Sequence, residues 1–181
     1  MRRILVKNHV SLDGFFEGPN KEIDWFGFDQ EQFDDSLELV NSVDTLLFGR
    51  TTFEMMKAYW PAAPPDPISK KMNSLAKIVF SSTLKSADWN NTRVVNGGIA
   101  EEALRLKQQP GGDMVVLGSS RLASLLLERG LVDEYRVYLT PIVLGRGNPL
   151  FQQINERVKL RLLGQRVFHS GIVMLAYQKA E

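Results

Sequence analysis

The sequence predicts an α/β fold: a mostly parallel sheet with helices on both faces, ending in antiparallel edge strands. Three observations predict it. Short apolar runs at Ile4 to Val6, Leu46 to Phe48, Ile78 to Phe80 and Met114 to Leu117 show no polar alternation, as in strands buried on both faces. Stretches of helical spacing separate these runs, so strands and helices alternate along the chain. From Glu134 onward only strand-like patterns remain, which marks an antiparallel edge.

Taken in order, Ile4-Leu5-Val6 is a central strand. Ser11 to Asn20 is broken by Gly14, Gly18 and Pro19 and reads as a loop, yet it carries Phe15 and Phe16 side by side. Such a loop packs either over a ligand or into the core. Asp24-Trp25-Phe26 continues this mixed character. Asp29 and Gln32 have the spacing of a helix cap, after which Phe33, Leu37 and Val40 share one helical face. Glu31, Asp34, Asp35 and Glu38 occupy other positions, mostly a solvated face, with room for one functional acid on the inner edge.

Leu46 to Phe48 then runs through Gly49 into a helix bearing Phe53, Met56 and Tyr59, with Thr51 and Glu54 at capping-box spacing. Trp60-Pro61 and the run from Pro64 to Pro67 end that helix and read as an irregular excursion. Lys77 to Thr83 is a buried strand finishing in three hydroxyls. Thr92 to Val95 is a further strand, and Ala100 to Gln108 a helix stopped by Pro110-Gly111-Gly112. Met114 to Leu117 passes through Gly118-Ser119-Ser120-Arg121 into a helix carrying Leu122, Leu125 and Leu126, which Gly130 terminates. Tyr135, Val137 and Leu139 alternate with Arg136, Tyr138 and Thr140, as in a half-buried strand. A turn cluster from Gly145 to Pro149 precedes two strands, Val158 to Val167 and Ile172 to Tyr177, joined by a hairpin at Ser170-Gly171.

Length and composition narrow the function. At 181 residues, without repeats or a linker, one domain over residues 1–181 is expected. Lys and Arg number 22 against 21 Asp and Glu, so there is no electrostatic footprint for nucleic acid or an anionic membrane. The absence of cysteine excludes disulfides, thiolate metal sites and a cysteine nucleophile. His9 and His169 lie too far apart in sequence to point to a zinc site, and a structural role is expected of each. No apolar stretch reaches membrane-spanning length, and Lys7-Asn8-His9 interrupts the N-terminal run too early for a signal peptide. A cytoplasmic protein is the expectation.

In an open α/β sheet, ligands bind beyond the carboxyl ends of the strands, where helix starts present free N–H groups and a positive dipole end. Three such ends here carry small or hydroxyl residues: Gly49 to Thr52, Ser81 to Thr83, and Gly118 to Arg121. Together they point to a phosphate-rich ligand such as a dinucleotide. Neither G-x-G-x-x-G after the first strand nor G-x-x-x-x-G-K-[ST] occurs, which disfavours a Rossmann dehydrogenase and a P-loop NTPase.

The pattern as a whole resembles the dihydrofolate-reductase-like superfamily, and most closely its branch related to the riboflavin-biosynthesis reductase domain, the RibD C-terminal type. The resemblance is carried by Ser11-Leu12-Asp13-Gly14, by Gly49-Arg50-Thr51-Thr52-Phe53-Glu54, and by Gly130-Leu131-Val132-Asp133-Glu134 running on to Pro141 through Gly147. It implies a dihydrofolate-reductase-like three-layer fold, a homodimer, and an NADPH site. By resemblance, Gly49, Arg50, Thr51 and Thr52 meet the cofactor's phosphates, with Arg50 at the adenosine 2′-phosphate. Ser81 and Ser82 match the hydroxyl pair meeting the same phosphate. Gly118, Ser119, Ser120, Arg121 and Leu122 match the loop and helix start under the pyrophosphate and nicotinamide. A guanidinium beside hydroxyls suits a dianionic phosphate, and so NADPH over NADH. The chain departs from the family at Ser119, where a second glycine is usual. It departs again at Leu117, where riboflavin-type reductases commonly carry a substrate-contacting acid. An acid on the first helix holds the pterin in true dihydrofolate reductases, and Asp34 or Asp35 lies near that position.

The expectation is therefore an NADPH-dependent reductase delivering hydride to a small heterocycle such as a pterin or pyrimidine. The alternative is a dinucleotide- or flavin-binding module without turnover. Asp13, Phe16, Asp24 and Trp25 are the substrate-side candidates, of which only Asp13 rests on a motif. No proton donor is assignable from the sequence.

Overall fold

The computed structural model describes residues 1–180 as three layers around one twisted eight-stranded sheet. Its elements are β1 (Ile4–Ser11), β2 (Phe15–Glu17), α1 (Gln30–Ser42), β3 (Val43–Gly49), α2 (Arg50–Tyr59), α3 (Pro67–Ser74), β4 (Ala76–Phe80), β5 (Thr92–Val95), α4 (Ile99–Gln108) and β6 (Asp113–Leu117). There follow α5 (Ser120–Glu128), β7 (Glu134–Thr140), β8 (Asn148–Pro149), β9 (Leu160–Val167) and β10 (Val173–Lys179). The sheet order is β5-β4-β3-β6-β1-β7-β10-β9, with β2 and β8 forming a separate small ribbon. The pairings from β5 through β7 are parallel, and β10 and β9 close the sheet antiparallel. The expected α/β architecture and antiparallel edge are both present.

Alternation along the strands divides the core. Ile4, Val6, Leu47, Met114 and Val116 point toward α4 and α5, where Ala103, Leu106, Leu122, Ala123 and Leu126 cover them. Leu5, Leu46, Phe48, Val79 and Val115 point the other way, against Leu39 and Val40 of α1, Phe53 of α2, and Ile68 and Met72 of α3. Apolar residues on both strand faces are what the unalternating runs required. Gly130, at φ 68°, closes α5 in a Schellman arrangement, its N–H donating to Leu127 O and that of Leu131 to Leu126 O.

Several expectations need correction. The proline-rich stretch is not irregular throughout, because α3 starts at Pro67. The Asp66 carboxylate accepts the Ser69 N–H at 2.7 Å while Ser69 Oγ accepts the Asp66 N–H, a complete capping box. Thr51 does not cap α2. The N-cap is Gly49, Thr51 lies inside the helix, and Glu54 turns to Arg50 instead. The strand expected to run to Thr83 ends at Phe80, since Ser81 Oγ accepts the N–H groups of Thr83 and Leu84 and turns the chain. Phe15 to Glu17 is a short strand rather than pure loop. Strand β7 is covered on both faces, Tyr135 facing α5 and Tyr138 packing with Phe168 and Ile172.

Candidate functional site

Adjacent strands β3 and β6 send their helices to opposite faces, α2 to the α1 side and α5 to the α4 side. A crevice opens where such a reversal occurs. Strand β1 deepens it. It leaves β6 at the Lys7–Leu117 pair and runs on beside β7 to Ser11, so a notch remains beyond the end of β6. The result is an open cleft of about 1010 Å³.

The two junctions beside the notch are stitched together. Gly118 (φ 65°) and Ser119 (φ 54°) are both left-handed, and the turn lets Gly118 N–H donate to Lys7 O at 3.1 Å. Ser119 Oγ accepts the Gly49 N–H at 2.8 Å, and Thr52 Oγ1 accepts the Ser119 N–H at 3.1 Å. A Cβ at Gly118 would sit 3.2 Å from Thr52 Cγ2 on a left-handed backbone, so a larger residue there would be strained and would press on Thr52. Ser119 therefore reproduces the turn expected of a second glycine and adds a cross-link to the neighbouring junction.

This stitching leaves the helix starts bare. Neither α2 nor α5 has a side-chain cap or an acidic residue in its first turn. The amides of Arg50, Thr51 and Thr52, and of Ser120, Arg121 and Leu122, have no preceding-turn carbonyl to reach. Both positive dipole ends border the same cleft. Helix α4 also touches it through Gly97 and Ile99, but Glu101 and Glu102 already occupy its first turn.

Arg50 is half-exposed and held in place at one end of the cleft. Its Nε donates to Glu54 Oε1 at 2.8 Å and its Nη1 to Thr83 Oγ1 at 2.7 Å, leaving the rest of the fork free. Of the residues expected at the phosphates, Gly49, Arg50, Thr51, Thr52, Ser81 and Ser82 all line the cleft. So do Ser119, Ser120, Arg121 and Leu122, with Gly118 directly behind Thr52. Ser81 is committed to its own turn, and Thr83 is the hydroxyl that meets the guanidinium. Phe80, Ile99 and Leu125 add apolar wall.

The substrate-side expectations divide. Phe16 lines the cleft. Asp13 does not: its carboxylate accepts the N–H groups of Leu144 (3.1 Å) and Gly145 (2.7 Å) and the Ser11 hydroxyl (2.7 Å). These bonds hold its carboxyl below the usual range, chiefly through Ser11, and tie two loops together. Asp24 is exposed, and Trp25 packs edge-on against Phe26 outside the cleft. Sequence reasoning missed Glu17, which accepts Asn148 Nδ2 at 2.7 Å, and Gln152, both lining the cleft. No local signal marks either one, because β2 and β8 come together across more than a hundred residues.

Asp34 is exposed and bonds Gln30, whereas Asp35 is the acid that faces the sheet. Asp35 accepts Tyr138 Oη at 2.5 Å and pairs with Lys7 Nζ at 3.6 Å and Arg166 Nη1 at 3.5 Å. Burial lowers Lys7 to about 8, against the raising effect of Asp35. Burial first, then the Asp35 bond, pushes the Tyr138 hydroxyl up. His9 is stacked between Phe26 (4.6 Å) and Tyr138 (5.0 Å), and burial, then the Lys7 charge, lowers it to about 3. It is a neutral imidazole. His169 is exposed and pairs with Glu31.

The model of the RibD C-terminal domain matches residues 2–174. The chain is 39% identical to the uncharacterized protein YyaP of Bacillus subtilis over 97% of its own length and 94% of that protein's. Among solved structures it resembles a putative riboflavin biosynthesis protein from Shewanella sp. PV-4, with TM-score 0.78, 21% identity and 99% of both chains covered. It also resembles a dihydrofolate reductase from Enterococcus faecalis complexed with NADP(H), with TM-score 0.67, 17% identity, and 99% of this chain and 97% of that one covered.

Proposed function

The chain belongs to the RibD C-terminal domain family, and from that premise we propose that it is an NADPH-dependent reductase acting on a small heterocycle, a pyrimidine or pterin or a relative of these. The observation that supports the reading most is the pair of bare helix starts, α2 and α5, facing one cleft with Arg50 and Thr83 at its end. The E. faecalis enzyme of the same fold is a dihydrofolate reductase complexed with NADP(H), and the residues here suit that cofactor.

Bound in the cleft, NADPH would supply the hydride. The amides of Ser120 to Leu122 and of Arg50 to Thr52 would hold its phosphates, because an anion there satisfies donors the fold leaves free. The free part of the Arg50 fork, fixed by Glu54 and Thr83, would take the 2′-phosphate. Holding the reactants in register and excluding water is the protein's contribution to such a transfer.

The test compares cofactors. Arg50→Ala is expected to weaken NADPH binding by roughly 1.5–3 kcal/mol, the range for hydrogen bonds to charged groups, and to leave NADH nearly unchanged. Equal losses for both would remove the 2′-phosphate assignment. Turnover is then read as NADPH oxidation over a panel of pterins, pyrimidines and quinones. Binding without oxidation of NADPH by any of them would leave a dinucleotide-binding module.

A further inference from the structure

The chain has a single Asn-Gly dipeptide, Asn96-Gly97, and it stands where β5 gives way to α4 at the rim of the cleft. Asparagine before glycine is the pair most prone to a reaction that needs no enzyme. The next residue's nitrogen closes on the side-chain carbonyl carbon, and glycine leaves that approach unobstructed. The fold decides whether the attack can occur, because both groups must be free of other partners. Both are free here. Asn96 is exposed, and among the described residues neither its side chain nor the Gly97 N–H makes a hydrogen bond. Gly97 (φ 78°) and Gly98 (φ 57°) are both left-handed, and a Cβ on Gly97 would meet nothing within 4 Å. The turn is open, and two consecutive glycines give it the greatest backbone freedom.

The comparable positions are held shut. Asp13-Gly14 has the same spacing, but the Asp13 carboxylate accepts the Ser11 hydroxyl and two backbone N–H groups, and the Gly14 N–H donates to Ser11 O at 3.0 Å. Asn41 and Asn73 precede serines within α1 and α3, where the helical ladder engages the following amide. Asn73 is further pinned by Trp89 Nε1, Trp60 O and Ser69 O. The location of Asn96 gives it consequence. Phe80 pairs with Val95, and the Ser81 N–H donates to Val95 O at 3.0 Å, so Asn96 leaves the sheet beside Ser81. Ser81, Ser82, Thr83 and Gly97 all line the cleft, and Thr83 Oγ1 is the acceptor that holds Arg50 at 2.7 Å.

We propose that Asn96 is a self-modifying site: the Gly97 nitrogen converts its amide to a carboxylate, and the charge this sets beside Ser81 weakens the cleft's hold on a dinucleotide bearing a 2′-phosphate. In the first step the Gly97 nitrogen bonds to Asn96 Cγ, the bond from Cγ to Nδ2 breaks, and the amide leaves as ammonia carrying the Gly97 proton. The product is a five-membered succinimide, which water then opens. Addition at Cγ breaks the new bond and gives aspartate. Addition at the main-chain carbonyl carbon breaks the original peptide bond and gives isoaspartate, with the backbone rerouted through Cγ. Each route adds one negative charge and consumes only water. The reaction itself is independent of the reductase reading, whereas its effect on binding rests on the 2′-phosphate assignment of Arg50. A carboxylate at residue 96 stands at the end of the cleft that Arg50 serves, so it repels a 2′-phosphate and acts little on a dinucleotide without one.

Ageing the purified protein at mildly alkaline pH tests both halves. Peptide mapping by mass spectrometry, with labelling by isoaspartyl methyltransferase, reads conversion at each asparagine and at Asp13. Conversion is expected first at Asn96, and Asn96→Gln, whose longer side chain disfavours ring closure, should abolish it there. Asn96 intact after the time in which an unstructured Val-Asn-Gly-Gly peptide is converted overturns the site. Binding is read by fluorescence titration on aged wild type and on Asn96→Asp; if the variant fails a thermal melt, the aged protein gives the answer. NADPH affinity is expected to fall about three- to tenfold at low salt in both, the loss narrowing as salt is raised, with NADH affinity within about twofold. Unchanged NADPH affinity in both, where Arg50→Ala weakens it, overturns the effect on the cleft. Unchanged affinity in Arg50→Ala as well removes the 2′-phosphate reading, and the effect on binding falls with it, while conversion at Asn96 is decided by the mass alone.

Discussion

Helix α1 begins on the Asp29 carboxylate, which accepts the Gln32 N–H at 2.9 Å, and α3 begins on that of Asp66. Helix α2 begins at Gly49 and α5 at Ser119, and neither has a side chain on its free amides. Ser119 has a hydroxyl of the right kind but spends it on the Gly49 N–H, outside its own helix. The first pair packs against the same core as α2, so burial does not explain the difference. Position does: α2 and α5 start at the crevice between β3 and β6, where a ligand rather than a side chain can complete them. The backbone groups that side chains cap at α1 and α3 are the same ones that α2 and α5 leave open to the cleft.

The comparison breaks most sharply if α2 is given what α3 has. In Gly49→Asp the backbone (φ −80°, ψ 163°) already suits an N-cap, and the new Cβ meets only Ser119 Oγ at 3.3 Å, a contact a small shift relieves. The carboxylate would cap α2 and add a negative charge where phosphates are expected. Like charges brought together cost several kcal/mol, so NADPH affinity should fall about a hundredfold or more while stability holds or rises by a few tenths of a kcal/mol. Fluorescence titration and urea unfolding read the two quantities. Undiminished affinity would show that α2 is no anion site.

The reverse change sharpens it. Asp66→Ala removes the half of the reciprocal cap made by the carboxylate, leaving the Asp66 N–H on Ser69 Oγ, and is expected to cost about 1 kcal/mol in urea unfolding. NADPH affinity should be unaffected, since α3 borders no part of the cleft. A loss of affinity would mean that capped and bare helices are not independent.

Much of the site was legible because it is local in sequence. Each cleft-facing junction is a strand, a glycine and hydroxyls within a few residues, and the order of strands and helices places their ends together. Helix α3 was not read, although Asp66-Pro67-Ile68-Ser69 carries its signal: the surrounding prolines masked a capping box that begins properly with Pro at N1. The substrate side was not legible. Asp13 carries the motif, yet its oxygens go to Leu144 and Gly145, 131 and 132 residues away, a partnership no spacing announces. The ring stack on Tyr138 likewise joins His9, Phe26 and Phe168 from three separate segments. The alternation of β7 failed for a related reason. Residues beyond the helical layers, Phe168 and Ile172, cover its second face.

The smallest effect is expected at the residue that keeps α5 bare. Ser119 holds a left-handed conformation, which costs an L-residue roughly 1–2 kcal/mol, and returns one buried hydrogen bond to Gly49, worth about 1 kcal/mol net. Ser119→Gly removes the strain together with the bond, so stability should move by no more than about 0.5 kcal/mol in either direction. Ser119→Ala keeps the strain and loses the bond, and should fall about 1 kcal/mol below Ser119→Gly. Urea midpoints for the pair give the difference directly. If Ala and Gly prove equal, the turn is not strained and the hydroxyl alone explains the serine. If Gly is as costly as Ala and NADPH binding weakens with it, the cross-link to Gly49 is what holds the two bare helix starts in register.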